Sequence, residues 1–326
     1  MMGRRLLFEA LLAAVLALGS TAAPAQTAYP NKPIRLIEPF PPGGGADNIA
    51  RIVMPLVAQF IGQPILIENR PGAGGNVGCA LAAHAAPDGY TILHGTNGTH
   101  GINQALYERT GFDPIKDFAP ISRFTTVPMM LVVHPGLPAN SLRELLAYLR
   151  ANPGKVSFGS AGNGSTTQIA MELFKTMAAV DVMHVPYRGG GPALAGLLGG
   201  EVQMMIDLTA SSYPQVKAGK LKGLAVTTLA RVSTAPDIPT LDEAGLPGYQ
   251  IAGTDGIYAP AGTPRSIIDT LNAAIRRALN DPQVRERLRS RGVEPSPSTP
   301  EELERHIAAE LPMWARLVEL SGAKVD

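Results

Sequence analysis

Short runs rich in β-branched and aromatic residues alternate along this chain with longer runs that have helical periodicity. The strand-like runs are 33–40, 65–70, 90–95, 155–160, 181–187, 201–207 and 221–228. Helical patterns begin between them, at about 46, 74, 141, 166 and 191. Strand–helix–strand alternation predicts parallel or mixed sheets covered by helices, which is an α/β fold.

Two more helices are predicted near the end of the chain, at 263–281 and 299–322. Each begins with Thr-Pro, which suits an N-cap followed by proline in the first turn. Two other segments, 117–135 and 248–264, have an extended pattern with no helix inside them. If the chain crosses between two lobes there, the first lobe is discontinuous (26–127 plus 248–326) and the second lobe is 128–247.

The first 25 residues have the three-part pattern of a secretory signal peptide. Arg4 and Arg5 precede an apolar run at 10–18, and small residues follow up to Ala25. The apolar run is far shorter than the ~20 residues of a membrane span. We therefore expect export, cleavage after Ala25 and a periplasmic location.

Composition narrows the function class further. The 326 residues are 45% hydrophobic and 17% charged, with a net charge of +1, so the chain is globular and carries no electrostatic footprint for nucleic acid or an anionic membrane. Its length suits about two domains. Cys79 is the only cysteine, which excludes an internal disulfide, and its small-residue helix predicts a core position.

Four glycine-rich turns follow predicted strands. They are "FPPGGGAD" (40–47), "HGTNGTHG" (94–101), "FGSAGNGSTT" (158–167) and "YRGGGPA" (187–193). In open α/β sheets, ligands bind beyond the carboxyl ends of the strands, where helix starts present unpaired backbone N–H groups to anions. The four turns together predict a site for a small anion, although any one of them could be only a turn.

Enzyme signatures are weak by comparison. The chain has no phosphate-loop motif, no G-x-S-x-G elbow and no histidine pair at metal-ligand spacing. Asp47 and Asp207 are candidate ligand-binding acids, but each could instead cap a helix. Arg188 is either solvated or paired with a substrate carboxylate. His100 lies in a candidate ligand loop, and His306 is expected on a helix surface.

Several motifs, in order, make the chain similar to one family. They are "YPNKPIRLIEPFPPGGGADNIAR", "ENRPGAGGNVG", "APDGYTILHGTNGTHGINQALY", "PYRGGGPALAGLLGGEVQMMID", "VKAGKLKGLAVTT" and "APAGTP". Over about 29–326 the chain resembles the substrate-binding proteins of tripartite tricarboxylate transporters, the Bug/TctC family. The resemblance implies a two-lobed, Venus-flytrap (type II) periplasmic binding protein with mixed sheets flanked by helices.

The resemblance also implies the function and the site. A monomeric receptor without cofactor or metal would hold a small organic acid between its lobes and deliver it to a membrane permease. The implied ligand-binding residues are Pro41, Gly44, Ala46, Asp47, Thr96, Asn97, Thr99, Ser160, Asn163, Ser165, Thr166, Asp207, Thr254 and Asp255. Family members often have an aromatic residue where this chain has Thr254–Asp255, so we expect a more polar cleft floor.

Two other functions are weighed against a receptor for transport. A secreted hydrolase or lyase could use Asp47, Asp207 and His100. A sensory protein could present its bound ligand to a membrane kinase, and the sequence does not separate this role from transport.

Overall fold

Two β-sheets organise the chain, which a computed structural model describes at residues 29–163 and 165–321. The predicted signal peptide lies outside the described residues. The strands are β1 (Ile34–Glu38), β2 (Ile65–Asn69), β3 (Thr91–Thr96), β4 (Phe118–Val127), β5 (Met129–Val133), β6 (Ser157–Ser160), β7 (Met183–Pro186), β8 (Met204–Leu208), β9 (Lys222–Val226), β10 (Gly253–Pro260) and β11 (Glu294–Pro295).

Helices connect and cover these strands. They are α1 (Gly45–Ile61), α2 (Asn76–Ala83), α3 (Asn103–Leu106), α4 (Leu142–Ala151), α5 (Thr166–Ala178), α6 (Gly190–Leu198), α7 (Thr209–Lys217), α8 (Leu241–Ala244), α9 (Arg265–Leu279), α10 (Pro282–Arg289) and α11 (Pro300–Ser321). A 3₁₀ turn (Ala73–Gly75) precedes α2 and a π-helical turn (Gly98–Ile102) precedes α3. Among the described residues, none of the helices has both the length and the apolar content that a membrane crossing requires.

Both sheets are mixed, as the alternation predicts. The first has the order β11-β4-β10-β3-β1-β2; β1 is parallel to β2 and β3, and β10 is antiparallel to β3 and β4. The second has the order β7-β6-β8-β5-β9, in which β6 is parallel to β7 and β8 while β5 is antiparallel to both neighbours. All five residues of β5 are buried, because this strand has a covered face on each side.

The chain changes sheets in extended segments. β4 ends at Val127 in the first sheet, and after Pro128 the next residue, Met129, begins β5 in the second. On the return, Tyr249 is buried in the core under the second sheet and its hydroxyl donates to Ala170 O at 2.7 Å. Four residues later Gly253 begins β10 in the first sheet.

The last helix, α11, packs into two hydrophobic cores. Leu303 and Ile307, in its first half, belong to the core under the first sheet. Trp314, Leu317 and Val318, in its second half, belong to the core under the second sheet, where Trp314 is fully buried. Helix α11 therefore packs against both sheets and connects their hydrophobic cores.

Candidate functional site

A cleft of about 610 Å³ lies where elements of both sheets meet. Its walls come from the loop after β1, the end of β3, the junction of β4 and β5, the first residues of α5 and α7, and the loop after α10. A second cavity of similar volume shares Thr166 and Leu208 with the cleft and extends it toward α6. The carboxyl ends of β1, β3 and β8 thus converge here, as expected for an α/β ligand site.

The loop after β1 presents Pro41 and Gly44 to the cleft, and the first turn of α1 presents Ala46, but Asp47 lies behind the cleft. Asp47 is 1% exposed and accepts hydrogen bonds from Gly43 N (2.8 Å), Arg51 Nε (2.8 Å) and Asn69 Nδ2 (2.9 Å). The Arg51 hydrogen bond is the largest of the effects that lower the pKa of this carboxyl, to about 2. Asp47 therefore holds the loop in shape.

The turn after β3 divides its residues in the same way. Thr96 and Asn97 line the cleft, whereas Thr99 is fully buried. Thr99 Oγ1 accepts from Thr96 N (3.0 Å) and donates to Thr96 O (3.1 Å), so this hydroxyl closes the turn. His100 is 3% exposed, and its ring stacks on Tyr258 with centroids 4.1 Å apart, away from the cleft.

The loop before α5 contributes Thr166 to the cleft and Ser165 to the adjoining cavity. Ser165 is the N-cap of α5 and accepts from Gln168 N. Ser160 is buried, with its hydroxyl 2.7 Å from His184 Nε2, and Asn163 is exposed. The adjoining cavity is therefore lined by Ala161 at the beginning of the loop and by the helix start at its end, while the buried Ser160 hydroxyl contacts His184.

Two buried acids face the cavities from opposite sheets. Asp207 lines the adjoining cavity, and its Oδ2 accepts from Ser212 Oγ at 2.6 Å. Burial raises the pKa of Asp207 above the usual aspartate value. Asp255 lines the main cleft, and its Oδ2 accepts from Thr125 Oγ1 at 2.8 Å. Its neighbour Thr254 lines a separate, much smaller cavity.

A buried histidine lies between two acids beneath the cleft floor. His94 Nδ1 is 2.7 Å from Glu38 Oε2, and His94 Nε2 is 3.7 Å from Asp255 Oδ2. Burial opposes the charged ring, but the two carboxylates outweigh it and raise the pKa of His94 to about 10. The protonated His94 ring therefore lies beside Asp255 beneath the cleft floor. Its positive charge reduces the repulsion between the Asp255 carboxylate and a bound anion.

Several cleft residues carry no signal in the sequence. Val127 and Met129 line it at the crossing between sheets, and Arg291 lines it from the loop after α10. Gly292 has a left-handed φ of +70°, and a Cβ there would lie 2.2 Å from the Ala210 Cβ, so this loop is pressed against the start of α7. Only tertiary packing brings these positions to the cleft. In the described part of the chain, no group of three or more His, Cys, Asp or Glu residues is placed to hold a metal ion.

The sequence profile of the TctC family, described as "Tripartite tricarboxylate transporter family receptor", matches residues 49–322. The chain belongs to this family. A relative from Pseudomonas sp. (strain P51), the "UPF0065 protein in tcbD-tcbE intergenic region", is 39% identical over 97% of this chain and 94% of its own length. Protein BugT of Bordetella pertussis is 34% identical over 97% of this chain and 98% of its own length. The predicted family is confirmed.

Solved structures confirm the predicted fold class as well. Periplasmic binding protein BugD is 34% identical, with a TM-score of 0.69 over 91% of this TctC chain and 99% of its own. R. palustris Rpa4515, solved with adipate, is 36% identical and has a TM-score of 0.72; the match covers 91% of this chain and 100% of Rpa4515. MatC from Rhodopseudomonas palustris, solved with malate, is 36% identical and has a TM-score of 0.68; the match covers 89% of this chain and 100% of MatC.

Proposed function

We propose that this chain is a periplasmic solute receptor that binds a small carboxylate-bearing metabolite and delivers it to a tripartite tricarboxylate-type permease. The family description names a transporter receptor, and two similar structures hold adipate and malate. The receptor acts as a monomer, without cofactor and without covalent chemistry. Its leader directs export to the periplasm and is then cleaved after Ala25.

The observation that carries the proposal is the meeting of two helix starts in one cleft. α1 begins at Gly45 and α5 at Thr166, and both residues line the cleft. The first backbone N–H groups of a helix have no acceptor within the helix, and the helix dipole makes them favourable for an anion. The backbone N–H groups at the starts of α1 and α5 can therefore bind a carboxylate from two directions, and the protein needs no large positive charge for this.

The binding event is a closure of two lobes on the acid. Lobe 1 is 26–127 plus 248–326 and lobe 2 is 128–247, a division supported by the change of sheet at Pro128 and again before Gly253. Closure removes water from the cleft, which strengthens each hydrogen bond between an N–H group and the carboxylate. Asp207 and Asp255 then face the part of the ligand distal to that carboxylate.

Thermal unfolding of the purified protein, freed of ligand by unfolding and refolding, tests this proposal. We expect the Tm to rise with at least one member of a panel of C4–C6 dicarboxylates, tricarboxylates, amino acids and aromatic acids, because a ligand that binds only the native state stabilises it. Neutral sugars serve as the control. A Tm unmoved by every acid would refute the proposal, and chemical conversion of a bound acid would reassign the chain as an enzyme.

The loop before α5 gives a second test. We expect Ser165→Ala combined with Thr166→Ala to weaken acid binding, because both hydroxyls belong to residues that line the two cavities. Calorimetric titration measures the effect, with the fold checked by circular dichroism. Unchanged affinity would remove this loop from the site.

A further inference from the structure

A small cavity lies behind the cleft, between the turn after β3, strand β10 and helix α11. Its volume is about 10 Å³, and Thr96, Asn97 and Asp255 line both this cavity and the cleft. The rest of its polar lining consists of His100, Thr254, Tyr258, His306 and Glu310. It is therefore a polar compartment that touches the ligand site on one side and the last helix on the other.

Three buried nitrogen atoms of this lining have no hydrogen-bond partner among the described residues. They are Asn97 Nδ2, His100 Nε2 and His306 Nε2. His306 Nε2 lies 3.3 Å from Glu310 Oε1, a contact that does not meet hydrogen-bond geometry. A buried polar atom left without a partner costs about 1–3 kcal/mol, so three around one cavity point to an occupant.

The hydrogen bond between Thr99 and His100 leaves one ring nitrogen of His100 for this cavity. Thr99 Oγ1 lies 2.9 Å from His100 Nδ1, so this ring nitrogen already has a partner, and it either donates to the hydroxyl or accepts from it. Burial lowers the pKa of His100 to about 3, which keeps the ring neutral. His100 Nε2 therefore offers the cavity one hydrogen-bonding position, as acceptor or as donor, and Asn97 Nδ2 offers a donor.

We propose that this cavity binds a single water molecule, which forms a hydrogen bond with His100 Nε2 and accepts one from Asn97 Nδ2. The volume matches the ~10–15 Å³ that one water requires, and a water can serve both nitrogen atoms because it donates as well as accepts. A cation would meet the Asn97 donor unfavourably. In addition, the His, Asp and Glu side chains here are not placed as a metal-ligand set among the described residues.

The bound water is a positioning element for the ligand site. Asn97 reaches the cleft, so a hydrogen bond from its amide to an ordered water fixes the side chain on the face that meets ligand. His100 is itself held by Thr99 and by stacking on Tyr258, so the water connects Asn97 to a rigid support. This consequence for binding rests on the proposed function, whereas the presence of the water does not.

A crystal structure of the whole protein at about 1.5 Å tests the proposal directly. We expect one peak within about 3.2 Å of both His100 Nε2 and Asn97 Nδ2, with no anomalous signal. A dry cavity, or an anomalous peak from a metal ion, would overturn the proposal. This arm gives an answer even if the protein binds no acid.

The variant His100→Phe tests the role in binding, because it keeps an aromatic ring and removes the ring nitrogen that the water contacts. We expect loss of the water peak and about five- to tenfold weaker binding of whichever acid the panel identifies. His84→Phe, the same change at the exposed C-cap of helix α2 and away from the cavity, is the control. If His100→Phe keeps the peak, or binds acid as tightly as His84→Phe, the positioning role is refuted. Should His100→Phe fail to fold, Asn97→Leu removes the water's donor and is expected to empty the same position.

Discussion

Gly45 allows the anion-binding role of backbone amides to be tested one N–H group at a time. It is the first residue of α1, it lines the cleft, and a Cβ added to it would meet nothing within 4 Å. The N-cap before it, Gly44, has φ −67° and ψ 171°, an extended conformation that suits the residue before a proline. Gly45→Pro therefore removes the N–H donor while the helix keeps a residue favoured at its first position.

The expected cost follows from the type of bond removed. A hydrogen bond to a charged group contributes about 1.5–3 kcal/mol, which corresponds to about 10- to 150-fold in Kd. The matched control is Gly45→Ala, which adds a Cβ into the same open space but keeps the N–H group. We expect Gly45→Ala to bind within about threefold of the wild type, since nothing opposes its side chain.

Isothermal titration of both variants with the acid found by thermal unfolding measures this difference. Thermal melts without ligand check the fold, and both variants should be at least as stable as the wild type because each restricts the unfolded chain more than glycine does. If Gly45→Pro binds as tightly as Gly45→Ala and both are folded, the amide at the start of α1 does not hold the ligand.

Three further predictions concern stability and reactivity. Burial raises the pKa of Glu310 from the usual 4.5 to about 7. Because the folded state prefers the protonated acid, the contribution of Glu310 to the free energy of unfolding should fall by at most about 3 kcal/mol as pH rises from about 4.5 to 7 and level off above it. Urea titrations followed by Trp314 fluorescence isolate this contribution as the difference between the wild type and Glu310→Gln at each pH; a difference that does not change with pH would contradict the burial argument. Gly292→Ala should lower the free energy of unfolding by about 2 kcal/mol or more, because its Cβ collides with Ala210 and its φ is left-handed, and Ala210→Gly in the same chain should recover part of the loss. Burial raises the pKa of Cys79 to about 12, so a disulfide reagent at pH 8 should modify this thiol only in denaturant; rapid reaction of the folded protein would refute its buried assignment.

The sequence anticipates the parts of the site that local signals determine. The glycine turn before α1 is an example, because the strand, the glycines and the amphipathic helix all lie within about 30 residues. The crossing segments are extended in the structure as predicted, in β4, β5 and β10. Their strand pattern is visible because it needs no knowledge of distant residues.

Burial imposed by distant elements is what the sequence does not reveal. His306 is expected on a helix surface, yet its side chain is only 19% exposed because α11 packs against two cores at once. His100 lies in a turn that looks like a ligand loop, but the turn is π-helical and directs the ring onto Tyr258. Arg291 reaches the cleft only because Gly292 meets α7 more than 80 residues back along the chain.

The shared helix α11 constrains how the cleft can open. A wide separation of the two sheets would draw Trp314 out of one core or Leu303 out of the other, and either loss exposes a large apolar side chain to water. The axis of opening must therefore run close to α11, so that its two anchored halves move little while the cleft mouth moves most. How far the cleft can open to admit a solute then depends more on how far α11 can bend than on the two extended segments that cross between the sheets.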